Sequence, residues 1–208
     1  MEKLAYVLGP VRQIDSVQRS LIKLYVDGLE HQGYLVFDPM RNAPQEDPTG
    51  FNIVMAEHAW LRSMADGKER GDEPLVLTFW TNEPPYSEGS RVDAGMVLGF
   101  DLEPELAYEW GNGWDGFYGN AINRREFVNT YVKPSEHTGD ILWHTDMDGV
   151  CHEGERVNLG LYLALLSRLS GFKLGNLNLI GEDDPNKKSY PKVVQEIQRR
   201  QLEGIPLW

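Results

Sequence analysis

"LAYVLGP", Leu4 to Pro10, then "SVQRSLIKLYVDGLEHQG", Ser16 to Gly33, then "YLVFDP", Tyr34 to Pro39, is the stretch that decides the fold. The first piece is a short apolar run stopped by Gly9-Pro10, the pattern of a buried strand entering a loop. In the second, Leu21, Leu24, Tyr25 and Leu29 recur at helical spacing, and Gly33 supplies the stop. The third is another strand, ended by Asp38-Pro39. A strand, a helix and a strand in this order make a βαβ unit, with parallel strands and a right-handed crossover.

The same alternation continues outward. "RNAPQEDPTG", Arg41 to Gly50, reads as a polar loop. "FNIVMAEHAWLRSMADG" follows as a helix with Ile53, Ala56, Trp60 and Met64 along one face. "PLVLTFW", Pro74 to Trp80, is apolar almost throughout, as a parallel strand covered on both faces must be. "SEGSRVDAGMVLGF", Ser87 to Phe100, opens with two candidate N-caps, Ser87 and Ser90. Its apolar side is Val92, Met96, Val97 and Phe100. Residues 101–139 lose this periodicity and are dense in Gly, Asn and aromatics, so they read as an insertion, a lid or an interface. "DILWHTD", Asp140 to Asp146, returns to strand character, and "MDGVCHEGER" reads as a polar loop. "VNLGLYLALLSRLSG" is a helix closed by Gly171, and a last helix runs from Pro191 to before Gly204. The expectation is a single α/β domain over residues 1–208. Its sheet should be mostly parallel and flavodoxin/Rossmann-like, with helices on both faces and an inserted aromatic, Gly-rich segment.

Composition narrows the function classes. Among 208 residues, 32 are acidic and 20 basic, a formal charge of −12, which disfavours a nucleic-acid polymer as partner. Small nucleosides and nucleotides stay open, because local charges decide their binding. No apolar run approaches the roughly 20 residues of a membrane span, and "MEKLAYVLGP" is interrupted too early for a signal peptide. Cys151 is the one cysteine, which rules out a disulfide framework within the chain and suggests the cytoplasm.

In an open α/β sheet, ligands bind beyond the carboxyl ends of the strands. That rule singles out the loops holding Gly9-Pro10, Asp38, Asn82 to Ser90, and Asp146 with Asp148. Asp93 lies about one turn into the helix leaving the third loop. A helix N-terminus favours an ionised carboxylate, and such a group in a cleft serves as nucleophile or base. Acids are also common in first turns for the dipole interaction alone. "HTDMDGVCHE" gathers His144, Asp146, Asp148, Cys151, His152 and Glu153, but at the spacing of neither a closed zinc site nor a full EF-hand loop. It reads as a polar loop beside the cleft, with Asp146 contributing and no metal or other cofactor implied. Tyr108, Trp110, Trp114, Phe117 and Tyr118 suit either stacking on a base or packing of the insertion.

Three segments, in order, resemble the nucleoside 2-deoxyribosyltransferase family and the related nucleotide N-glycoside hydrolases. "YVLGP" resembles the family's opening Tyr-x-x-Gly-Pro. "EGSRVDAGMVLGF" resembles its acidic-Gly-Ser/Thr-x-x-Glu-x-Gly signature, and "HTDMDGVCHEGERVNLGLYLAL" its later Thr-Asp loop and Asn-Leu helix start. The resemblance implies a carboxylate nucleophile at Asp93, where the family carries Glu, oriented by Tyr6. It places Gly9 and Pro10 beside the base and Ser90 on the sugar or phosphate, with Glu88 and Gly89 also among the substrate-binding residues. Asp72 and Glu88 become candidates for the acid that serves the departing base. Asn158 falls on an asparagine that reaches into a neighbouring subunit's site, which implies a homodimer or larger homo-oligomer with shared sites. The implied reaction cleaves an N-glycosidic bond and transfers the sugar to another base. Hydrolysis of a nucleoside 5′-monophosphate, or binding without turnover, are the alternatives.

Overall fold

In the computed structural model, residues 2–10, 14–81, 88–110, 116–121, 141–145, 151–169 and 190–208 are described. Strand β1 (Leu4–Leu8) is buried at every position, which is why its sequence is continuously apolar instead of alternating. It pairs in parallel with β2 (Leu35–Phe37) on one side and β3 (Leu75–Thr81) on the other. Strand β4 (Pro104–Trp110) adds in parallel to β3, and β5 (Gly116–Ala121) closes the edge antiparallel to β4. The order β2-β1-β3-β4-β5 is that of a flavodoxin/Rossmann-like α/β sheet, mostly parallel as its sequence implies. From β1 the chain moves outward to β2, then crosses back to β3. The sheet's topological switch point therefore lies between β1 and β3.

Helices cover both faces. On one, α1 (Ser16–His31) packs Ile22, Val26 and Leu29 against Ala5, Val7, Leu77 and Phe79. Asp15 starts α1 as a capping box, accepting from Val17 and Gln18 amides while the Gln18 side chain bonds back to the Asp15 amide. That start sets the helix phase, and the buried stripe is Ile22, Val26 and Leu29; Leu24, expected inside, is 66% exposed. On the other face, α3 (Phe51–Glu69), α4 (Glu88–Gly99), α5 (Leu159–Arg168) and α6 (Tyr190–Glu203) pack around Leu4, Tyr6, Leu8 and Val76. No helix among the described residues is long and apolar enough to cross a membrane.

Three expectations change. The loop after β2 contains a helical turn, α2 (Pro39–Asn42), begun by Asp38 accepting from the Met40 amide, with Pro39 supplying a preset φ. The expected insertion is in part sheet: β4 and β5 fall inside residues 101–139, and 122–139 lie outside the described residues. Pro104 at a strand start and the glycines of β5 carry little strand propensity, so the pattern was hidden. Strand β6 (Ile141–Thr145) does not join the parallel sheet. It pairs antiparallel with β7 (Cys151–Val157), which occupies much of the expected polar loop.

Candidate active site

Strand alternation sends Leu4, Tyr6 and Leu8 to the face covered by α3, α4 and α5. Tyr6 is fully buried there. Its ring stacks on Phe37 at 5.7 Å and 14°, and Phe37 in turn leans on Trp60 at 5.4 Å. Trp60 donates its indole N–H to the Ala5 carbonyl at 3.0 Å, tying α3 to β1. The tyrosine is thus held by a column of three aromatics anchored to its own strand.

Against this tyrosine the fold sets two acids. Asp93 from α4 is 3% exposed and Glu57 from α3 is 6% exposed. Burial dominates the acidity of the Asp93 carboxyl and pushes it up to about 7, with Glu57 and Tyr6 the neighbours that pull it the other way. This reverses the expectation of a carboxylate held ionised by a helix N-terminus. Helix α4 begins at Glu88, so Asp93 lies in the second turn, where the dipole has faded and desolvation decides.

Two buried oxygens on this face, Asp93 Oδ1 and Thr78 Oγ1, meet no hydrogen-bond partner among the described residues. Thr78 sits on β3 opposite Leu8 of β1, at the switch point. Buried polar atoms are normally paired, so each exception calls for an explanation, and a catalytic role is one of them. Ser90 is also buried, one turn before Asp93. Gly89 and Glu88 open the same helix. Gly9 and Pro10 are buried at the end of β1. A Cβ on Gly9 would come within 3.1 Å of Phe79 Cβ, so this turn presses directly on β3.

The structure brings Tyr6, Ser90 and Asp93 onto one face of the sheet, with Glu88 and Gly89 opening the helix that carries two of them. Others go elsewhere. Asp72 precedes β3 at its amino end, its carboxylate 3.8 Å from Arg70 beside the C-terminus of α3. It is away from the carboxyl end where the site forms and cannot serve the departing base there. Asn158 is the N-cap of α5: its Oδ1 accepts from the Gly160 and Leu161 amides, and its Nδ2 donates to the Arg91 carbonyl at 2.8 Å. It is buried inside its own chain, which corrects the reading that it reaches a neighbouring subunit and removes the residue argument for shared sites. Asp146 and Asp148 lie outside the described residues.

Asn158 works instead as a clasp between α4 and α5. A Cβ on Gly95 would fall on Asn158 Oδ1, and one on Gly160 would fall on the Val92 carbonyl oxygen. A Cβ on Gly99 would meet Ala164 Cβ at 2.6 Å. The helices therefore cross with backbones in contact, and the crossing fixes the segment of α4 that carries Ser90 and Asp93.

Tyr108 and Trp110 pack on the α1 face. Trp110 stacks on Phe79 at 6.0 Å, so these two aromatics belong to the core opposite Asp93. Glu57 is the site member that sequence reasoning missed. The helical stripe was drawn through Ile53, Ala56 and Trp60, whereas the buried residues of α3 are Phe51, Val54, Glu57, His58, Leu61, Met64, Ala65 and Gly67. An acid inside that stripe was the available signal. Compared with known proteins, the chain matches no family model, no curated protein and no solved structure.

Proposed function

We propose that the protein cleaves the N-glycosidic bond of a nucleoside or nucleotide, with Asp93 as nucleophile, and passes the sugar to an acceptor base. The observation that carries this reading is a buried carboxyl whose Oδ1 meets no partner among the described residues, with Tyr6 and Glu57 as its neighbours, near the switch point of the sheet. The ionised carboxylate attacks the anomeric carbon as the carbon–nitrogen bond breaks and its electron pair leaves with the base. The glycosyl ester then reacts with a nitrogen of a second base, which restores the carboxylate and yields a new nucleoside. Tyr6 donates to the carboxylate and keeps its orientation. The α4–α5 crossing keeps the helix from shifting, and displacements near 1 Å cost on the order of a hundredfold in rate.

The test is to incubate the protein with deoxynucleosides and deoxynucleotides, with and without a second base, and to separate the products chromatographically. A new nucleoside supports transfer. Free base with sugar or sugar phosphate makes the enzyme a hydrolase acting through the same carboxylate. Full activity in Asp93→Ala removes the assignment, and binding without turnover of any substrate removes the reaction.

A further inference from the structure

We infer that helix α1 carries a self-association face whose occupant is a second copy of this chain, packed antiparallel about a two-fold axis. The face lies across the sheet from Asp93, so each copy keeps its own site. The apolar layer there joins Ile14, Ile22, Val26 and Leu29 to strands β1 to β4, and among the described residues α1 is its one long helix. The outer side of α1 is apolar as well. Val17 is 74% exposed and Leu24 66% exposed. Leu21 is half-buried at the edge of the core, and a Cβ on Gly28 would meet nothing within 4 Å. These four positions are spaced i, i+4, i+7 and i+11, so they fall within about 60° of arc on one side of the helix. Apolar side chains scattered singly over a surface need no explanation, whereas a continuous line of them marks an interaction surface.

Two features select a second copy as the occupant. The first is shape. A two-fold contact pairs residue i with j and j with i. With the axis between positions 22 and 23, Leu21 meets Leu24 of the second copy and Val17 meets its Gly28. Bulk faces bulk at the centre, and at each end a branched side chain enters the open space over a glycine. The second feature is charge. The chain carries a formal −12, which sets two copies to repel over most of their surface. On α1, the groups within about 90° of the apolar line that carry charge near neutral pH are Asp27 and His31. The Asp27 carboxylate is held by Lys23 at 2.5 Å. Glu30, on the far side, pairs with Arg41 at 2.7 Å. Two such chains can therefore meet along this line without burying an unpaired acid. A helix of 16 residues is about 24 Å long, so the contact is small, and association is weak and reversible.

Sedimentation velocity on the full chain tests this, over roughly 1 to 300 µM, the range in which a small interface fills. The mean mass should rise from monomer toward dimer. Raising salt from about 50 to about 500 mM should tighten the dimer, because screening relieves the repulsion between copies. Leu24→Glu should keep the wild-type melting temperature in dilute solution, where the side chain faces water, and weaken association about tenfold or more. Gly28→Leu separates a paired face from a merely sticky one. It adds apolar surface, so unspecific contact would tighten, whereas Val17 of the second copy loses its seat and the dimer should weaken about tenfold. In a Cys151→Ser background, Val17→Cys with Gly28→Cys should give a disulfide-linked dimer under oxidised glutathione. Within one helix these positions stand about 16 Å apart, too far to bridge, and Val17→Cys alone should stay unlinked. A monomer at every concentration overturns the inference, as does a dimer that Leu24→Glu leaves intact. Tightening in Gly28→Leu, or a dimer that high salt dissociates, overturns it equally.

Discussion

Replacing Asp93 with Asn should change how stability depends on pH, and by an amount the structure sets. Burial raises the Asp93 carboxyl from its ordinary 3.8 to about 7. The folded protein therefore holds a proton that the unfolded chain has released over that interval. Stability from this group is fully present below about pH 4 and declines as pH rises toward 7, because folding must then take up a proton. The interval spans roughly three pH units, and at about 1.36 kcal/mol each the loss is about 4 kcal/mol. In Asp93→Asn nothing titrates at that position. The difference in unfolding free energy between variant and wild type should be level below pH 4. It should then shift by about 4 kcal/mol in the variant's favour between pH 4 and 7.5. Urea unfolding at half-unit pH steps measures it, with equal m-values confirming that both chains unfold from comparable states. A gap constant to within about 1 kcal/mol across the range would refute the reasoning, since Asp93 would then be ionised in the folded protein at every pH.

His58 gives the opposite slope. Burial holds its imidazole down at about 4, so its contribution is full above about 6.5 and lost as pH falls toward 4. His58→Phe, which keeps a ring beside Phe100 and Trp208, should gain on wild type by about 3 kcal/mol across that window in the same urea series. Glycine-to-alanine changes should split by sign. Gly160→Ala drives a methyl into the Val92 carbonyl and should cost about 3 kcal/mol, whereas Gly28→Ala in α1 meets nothing within 4 Å and should stabilise by roughly 0.5–1 kcal/mol, both read by thermal melts. Asn158→Ala removes an N-cap and the bond to Arg91 and should cost about 2 kcal/mol. Its sedimentation behaviour should match wild type, because the residue's bonds lie within its own chain.

The parallel sheet was legible because its strands are buried on both faces and therefore spell themselves as apolar runs stopped by Gly9-Pro10 and Asp38-Pro39. Strand β4 escaped for a related reason. It starts at Pro104 and alternates buried and exposed positions only at its beginning, while its partner β5 is rich in Gly and Asn. Such strands are held by neighbours more than by their own propensity, and neighbours are not written locally. The β6–β7 hairpin shows the same limit: strand character at Ile141–Thr145 was readable, but not which sheet would take it.

The site divides along the same line. Asp93 was singled out because the carboxyl ends of parallel strands are where an α/β sheet leaves room for a ligand, whereas Tyr6 was named through the family resemblance alone. Glu57 was invisible to that rule, since it arrives from the middle of a helix that follows β2. It enters only when the phase of α3 is known to within one residue. The protonation of Asp93 was read with the wrong sign, and this follows from the physics. The effect of a helix terminus is local and can be estimated from a run of ten residues. Desolvation, however, is produced by everything that surrounds the group, here β1, α3, α4 and the α5 helix locked against it through Asn158 and Gly160. A sequence can name the carboxylate that a site is built around. Whether that carboxylate starts charged depends on how closely the other elements shut out water, and in this protein the glycines that let α4 and α5 touch help to set it.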